Sequence, residues 1–166
     1  MLLRVTYLEL RAAPGPPDRH AGPESISVER PELSDYLSLY RRIGASLGWD
    51  QRLLMPEAEL AQLLQGTQLR IYLLRNEFGE AVGFCEFDRS GFPQIELKNF
   101  GLVPEARGRR LGPWLLSTAL AAEWKTNPAR IWLHTDTWDH PAAIRVYQQT
   151  GFCIYDVRYE APDQIS

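Results

Sequence analysis

Nine residues, Pro104-Glu105-Ala106-Arg107-Gly108-Arg109-Arg110-Leu111-Gly112, separate a strand-like run ending at Val103 from a run with Leu111, Trp114, Leu115, Thr118, Ala119 and Ala122 at helical spacing. A strand that passes into a helix through glycines leaves the first N–H groups of the helix unpaired, and the macrodipole favours an anion there. Arginines in the same turn make phosphate the expected ligand, because the planar guanidinium matches phosphate oxygens in a bidentate contact. Pro113 suits an early helical position and places the helix start close to Gly112. The loop has no G-x-x-x-x-G-K-[ST] pattern and no G-x-G-x-x-G behind an N-terminal strand, so neither triphosphate hydrolysis nor a dinucleotide fold is indicated. On its own the loop also reads as an arginine-rich, solvated helix start.

The rest of the chain makes that loop exceptional. Net charge is -3 and the pI about 5.6, so no global field exists for gripping nucleic acid or an anionic membrane, and basic residues must act locally. Of 18 basic residues only Lys98 and Lys125 are lysines. A chain of 166 residues reads as a single domain, 1–166, that hides about 70% of its unfolded surface, enough for a core and a ligand cleft. Cys85 and Cys153 stand apart in apolar runs and are expected as buried free thiols, which with the absence of a signal-like N-terminus suggests a cytoplasmic protein. No run approaches the length of apolar residues that spans a membrane.

Leu3, Val5 and Tyr7 alternate as in a half-buried strand, and the Pro/Gly-rich stretch within 11–25 is expected to be a flexible loop or flap. Helical spacing follows from Leu33 to Leu47 and from about Pro56 to Leu64, with a turn at Gly48-Trp49-Asp50 between them. Strands are expected over Leu69–Arg75, Ala81–Phe87 and Gln94–Val103, the first two joined by a hairpin with Gly79 at positive φ. After the helix that starts near Gly112, a strand over Ile131–Thr135, a helix capped by Asp139 or His140, Gly151 as its stop, and a strand over Phe152–Tyr159 complete the order. The class is α+β: an antiparallel run in the middle and a βαβ crossover near the end.

The run from Gln94 to Phe152 resembles the GCN5-related N-acetyltransferases (GNAT). Their Q/R-x-x-G-x-G/A signature after a V-x-P-like strand end is matched by Leu102-Val103-Pro104 and by Arg107, Leu111 and Gly112, and their A-x-x-x-Y-x-x-x-G-F helix by Ala143, Tyr147, Gly151 and Phe152. Two positions depart from the pattern: the middle glycine is Arg110, and the asparagine that often opens the last helix is His140. Helical backbone at position 110 would need no glycine, so Arg110 is expected to add a charge-assisted phosphate contact.

The resemblance implies a mostly antiparallel twisted sheet flanked by helices, with a splayed strand pair forming an acyl-CoA cleft. It implies transfer of an acetyl group from acetyl-CoA, used without a metal, to the primary amine of a small molecule or peptide. Pyrophosphate would sit on Arg107, Gly108, Arg109, Arg110, Leu111 and Gly112, with His140 and Ala143 nearby. Pantetheine would lie along a bulge at Phe100, Gly101 and Leu102. Tyr147 occupies the place of the acid that protonates the leaving sulfur, and a phenol near pKa 10 suits a thiolate. Glu96, on the strand leading into the cleft, is the first choice of base. Trp49, Asp50, Glu86 and Asp88 are candidate acceptor contacts. The run His134–His140 holds two histidines and two aspartates but no cysteine pair, and a zinc site is not expected there. A homodimer is a possible partnership, and a non-catalytic acyl-CoA-binding or regulatory module is the alternative reading.

Overall fold

Strands β3 (Leu69–Arg75), β4 (Ala81–Asp88) and β5 (Gln94–Leu102) form an antiparallel meander where alternation and turn residues predict one. Gly79 turns the first hairpin with φ 79°, a left-handed backbone that glycine adopts without a Cβ clash. The structure is a computed structural model and describes residues 1–165. Strand β1 (Leu3–Leu10) and the short strand β2 (Ser25–Glu29) precede helix α1 (Leu33–Gly44), the single-turn α2 (Gln51–Leu54) and α3 (Glu57–Gln65). After β5 come α4 (Leu111–Trp124), β6 (Arg130–Asp136), α5 (Ala143–Gln149) and β7 (Cys153–Glu160).

All seven strands join one sheet in the order β2-β3-β4-β5-β6-β1-β7. Every pair is antiparallel except β5 and β6, which α4 connects. The parallel pairing covers only Gln94–Glu96 against Arg130–Trp132, after which β5 and β6 part. The α+β architecture with one splayed strand pair is therefore as predicted. Two features are not. Strand β2 has no counterpart in the sequence reading, because its alternation is short and exposed. The N-terminal strand inserts between β6 and β7, a long-range choice that no local pattern encodes.

Helix α4 packs on one face of the sheet and α1 with α3 on the other. Leu111, Leu115, Leu116, Ala119 and Leu120 are buried in the common core with Phe87, Ile95 and Ile131. Glu123, on the same helix, is wholly buried and takes ion pairs from Arg70 and Arg89 and a 2.5 Å hydrogen bond from the Tyr72 hydroxyl. The stretch between β1 and β2 lies along α4: the Asp18 N–H donates to Ser117 Oγ (2.9 Å), and His20 stacks on Trp114 with ring centroids 4.1 Å apart. Cys85 is buried, whereas Cys153 on β7 is exposed, contrary to expectation; both are free. Among the described residues no helix is long and apolar enough to cross a membrane.

Candidate active site

The fork between β5 and β6 opens a cavity of about 930 Å³ that runs from the start of α4 through the sheet to the α1–α2 turn. Among the described residues the β6-facing edge of β5 has no strand partner beyond Glu96, so backbone N–H and C=O groups along Leu97–Leu102 face the cavity. The bulge lies two residues earlier than expected. Phe100, Gly101 and Leu102 pair in register with Cys85, Phe84 and Gly83, and the extra residue is Lys98, between Asn99 and Leu97. Gly101 serves packing instead: a Cβ there would lie 2.5 Å from Ile43 Cγ2.

At the other end, Gly108 (φ 80°) and Arg110 (φ 60°, ψ 17°) both take left-handed backbone ahead of α4. Nothing lies within 4 Å of the Cβ direction at Gly108, so the turn is open to close approach there, and the unpaired N–H groups at the start of α4 favour an anion. The helical backbone expected at position 110 is thus corrected: arginine occupies a conformation that a family glycine would hold without strain. The three arginines divide their work. Arg107 turns inward, donating from Nε to Leu102 O (3.2 Å) and from a terminal nitrogen to Ile43 O (3.5 Å). Arg109 points away from the cavity to the buried carboxylate of Glu24, which also meets His20 Nε2 at 2.8 Å. Arg110 lines the cavity, and no described residue pairs with it. Leu111 and Gly112 complete this end of the wall. The donor set, an open glycine turn with one uncommitted guanidinium at a helix N-terminus, fits a pyrophosphate.

Helix α5 supplies the middle of the wall. It begins at Ala143 behind an Ala142 cap, so neither Asp139 nor His140 caps it as expected; His140 Nδ1 instead accepts the Ala142 N–H at 3.2 Å. His140, Ala143 and Tyr147 all line the cavity. Tyr147 packs against Phe100 and Phe152, with ring centroids 5.9 and 6.0 Å away, and its hydroxyl makes no hydrogen bond with any described residue. Burial, and behind it the charges of Asp139 and Cys85, hold this phenol well above its ordinary pKa, so it stays protonated.

The acceptor-side expectations separate. Trp49 and Asp50 line the cavity. Glu86 does not: it is wholly buried behind the wall, bonded by Arg52 and the Tyr36 hydroxyl and reached by Asn99 Nδ2 at 3.3 Å. Asp88, at the end of β4, accepts the Ser90 N–H (2.9 Å) and also lies off the wall. Glu96 stands at the last paired position of the fork, 3.4 Å from Lys98 Nζ, and is not brought to the wall either. Burial raises its pKa, opposed by Lys98 and His134.

Among the cavity residues to which the sequence reading gives no part in acyl transfer are His134 and Asp136. Both follow Trp132 at alternate positions of β6 and share one face, which runs from the paired part of the fork into its open part. Period-two alternation is the signal that could find them, whereas the sequence reading of this run concerns metal alone. Among the described residues no group of three or more His, Cys, Asp or Glu side chains is arranged to hold a metal. Burial, then the nearby charge of Asp139, raises the pKa of Asp136. Asp139 itself accepts the Thr135 hydroxyl, the Asp136 N–H (3.1 Å) and the Trp49 indole N–H (3.3 Å).

The sequence model described as the Acetyltransferase (GNAT) family matches residues 35–152. A GCN5-related N-acetyltransferase from Sphaerobacter thermophilus is similar to 95% of this chain over 50% of its own length, at 17% identity and a TM-score of 0.70. A GNAT-family acetyltransferase from Streptococcus pneumoniae is similar over 77% of this chain and 86% of its own, at 22% identity and a TM-score of 0.59. The ribosomal-protein-S18-alanine N-acetyltransferase of Escherichia coli is similar over 77% and 76%, at 22% identity and a TM-score of 0.61. The chain thus spans about half the length of the first of these structures. No curated protein matches the chain.

Proposed function

The chain belongs to the GNAT acetyltransferase family, and from that premise we propose that it transfers an acetyl group from acetyl-CoA to a primary amine by direct attack. The observation that carries this reading is the placement of Tyr147: an unbonded, protonated phenol on the wall of a cavity that runs from the arginine-bearing start of α4 to the carboxylates of Asp50 and Asp136. In this reading the Gly108–Gly112 turn and Arg110 hold the pyrophosphate of acetyl-CoA, and the open edge of β5 holds its pantetheine arm. The thioester supplies an activated acyl group. Backbone N–H groups on that edge can polarise its carbonyl, and the Tyr147 hydroxyl can give its proton to the departing sulfur.

An ammonium ion near pKa 10 must lose a proton before it can attack. Asp136 is better placed than Glu96 to receive it, directly or through water, because Asp136 lines the cavity and Glu96 does not. Asp50 and the rings of Trp49 and Tyr40 on the same side suit a cation. Release of free thiol from acetyl-CoA, measured across a panel of small amines and N-terminal peptides, tests the proposal. Turnover with at least one amine supports it. Tight CoA binding with no turnover on any amine marks the chain as a non-catalytic acyl-CoA module.

A further inference from the structure

Strand β7 ends the sheet beyond β1, and among the described residues its outer edge has no strand partner. Every residue from Cys153 to Glu160 is exposed or half-buried. Directly opposed residues in a sheet share a face. Ile154, Val157 and Tyr159, opposite Leu8, Thr6 and Arg4, therefore stand together on one face, where Tyr159 is 67% exposed. Asp156 and Arg158, opposite Tyr7 and Val5, stand on the other, and the Arg158 Nε–H donates to Asp156 at 2.8 Å. Tyr155 is an extra residue, a bulge where Tyr7 opposes Asp156 and Leu8 opposes Ile154.

We propose that β7 pairs edge to edge with β7 of a second copy of this chain, antiparallel about a twofold axis at Val157, so that Asp156 of each strand faces Arg158 of the other. The pattern of charges selects that register. A twofold axis places one residue opposite itself and its neighbours opposite each other. Centred on Asp156 it opposes two carboxylates. Centred on Arg158 it opposes two guanidiniums and sets Asp156 against Glu160. Centred on Tyr159 it leaves only Arg158–Glu160 to pair before the strand ends.

Centred on Val157, both Asp156–Arg158 contacts are attractive, and Val157 meets its own copy on the apolar face. The bulge at Tyr155 then skips one position, as it does against β1, and brings Ile154 opposite Tyr159 of the second copy. Apolar pairs thus fill one face and opposite charges the other, the arrangement that stabilises antiparallel neighbours. An exposed eight-residue edge is a template for a further strand, and self-pairing removes it.

Charge reversal tests the register on the full chain. The wild type should sediment as a dimer over a concentration series. Asp156→Arg and Arg158→Asp should each weaken the dimer by about 100-fold, since each opposes like charges twice. The double reversal should restore it, because each introduced arginine would again face an introduced aspartate across the axis. In a Cys153→Ser background, Val157→Cys should form a covalent dimer on mild oxidation, since residues opposed on the axis lie about 4.5–5.5 Å apart at Cα, while Tyr159→Cys should not. Cross-linking stands independently of any loss of folding in the charge variants. A wild type that stays monomeric, a dimer that survives both single reversals, or a Val157→Cys chain that fails to cross-link overturns the proposal.

Discussion

The indole N–H of Trp49 donates to the carboxylate of Asp139 over 3.3 Å, bridging 90 residues of sequence and tying the α1–α2 turn to the β6–α5 connection. Asp139 also links the two groups assigned to proton transfer, since its charge raises the pKa of both Asp136 and Tyr147. Trp49→Phe keeps a ring but loses the donor. Expected is a rise of about 2–10-fold in KM for the amine, the cost of one partly buried hydrogen bond, with CoA affinity unchanged. Steady-state kinetics and calorimetry separate the two.

Tyr147→Phe removes only a hydroxyl that bonds no described residue, so folding should be unaffected. Loss of the acid should lower kcat by about 10²–10⁴-fold while the dissociation constant for CoA stays the same. Turnover equal to wild type would remove Tyr147 from this role.

A base must be deprotonated to act, so activity rises with pH through its pKa. Because burial and then Asp139 raise the pKa of Asp136, the acidic limb of kcat/KM should lie above the ordinary aspartate value. Asp136→Asn should abolish that limb together with most of the rate. Glu96→Gln, by contrast, should leave the limb in place. The pH–rate profile of both variants decides between the two carboxylates.

Arg110→Gly should have opposite effects on folding and binding. Glycine relieves the left-handed strain at φ 60°, which should stabilise the fold by about 0.5–1 kcal/mol. Loss of the uncommitted guanidinium should weaken CoA binding and flatten its salt dependence. Arg107→Ala should instead destabilise the fold, by about 1 kcal/mol, because its guanidinium serves the carbonyls of Leu102 and Ile43. Thermal unfolding and calorimetry at two ionic strengths read out all four effects.

Glu86→Ala should leave Arg52 charged and buried without its carboxylate. Breaking a pair so enclosed costs about 3–5 kcal/mol, visible as a large fall in Tm. A Glu86 that merely contacted substrate would leave Tm unchanged and alter KM alone.

Local pattern alone determined most of the elements and the strand-to-helix turn at Pro104–Gly112, because periodicity, glycines and capping act over a few residues, whereas the link between that turn and Tyr147 came only from the resemblance to the acetyltransferase family. Near Phe100 the resemblance was misleading: it put a bulge at Phe100–Leu102 with Gly101 easing it, yet the missing Cβ of Gly101 makes room for Ile43, which comes from a helix far away in sequence. The same limit applies to charge. Arg107, Arg109 and Arg110 are equivalent as letters, and only the packed chain gives Arg107 to two carbonyls, Arg109 to Glu24 and Arg110 to the cavity. The sequence reading favours Glu96 as base, makes Glu86 an acceptor contact and gives Asp136 no part in acyl transfer, whereas the sheet assigns Glu86 to a buried ion pair, Glu96 to a lysine at the fork and Asp136 to the cavity wall. Sequence spacing specifies which residues share a face. Which face looks onto the cleft depends on where β5 and β6 stop pairing and on the insertion of β1 beside β6, and both are set by contacts between distant segments.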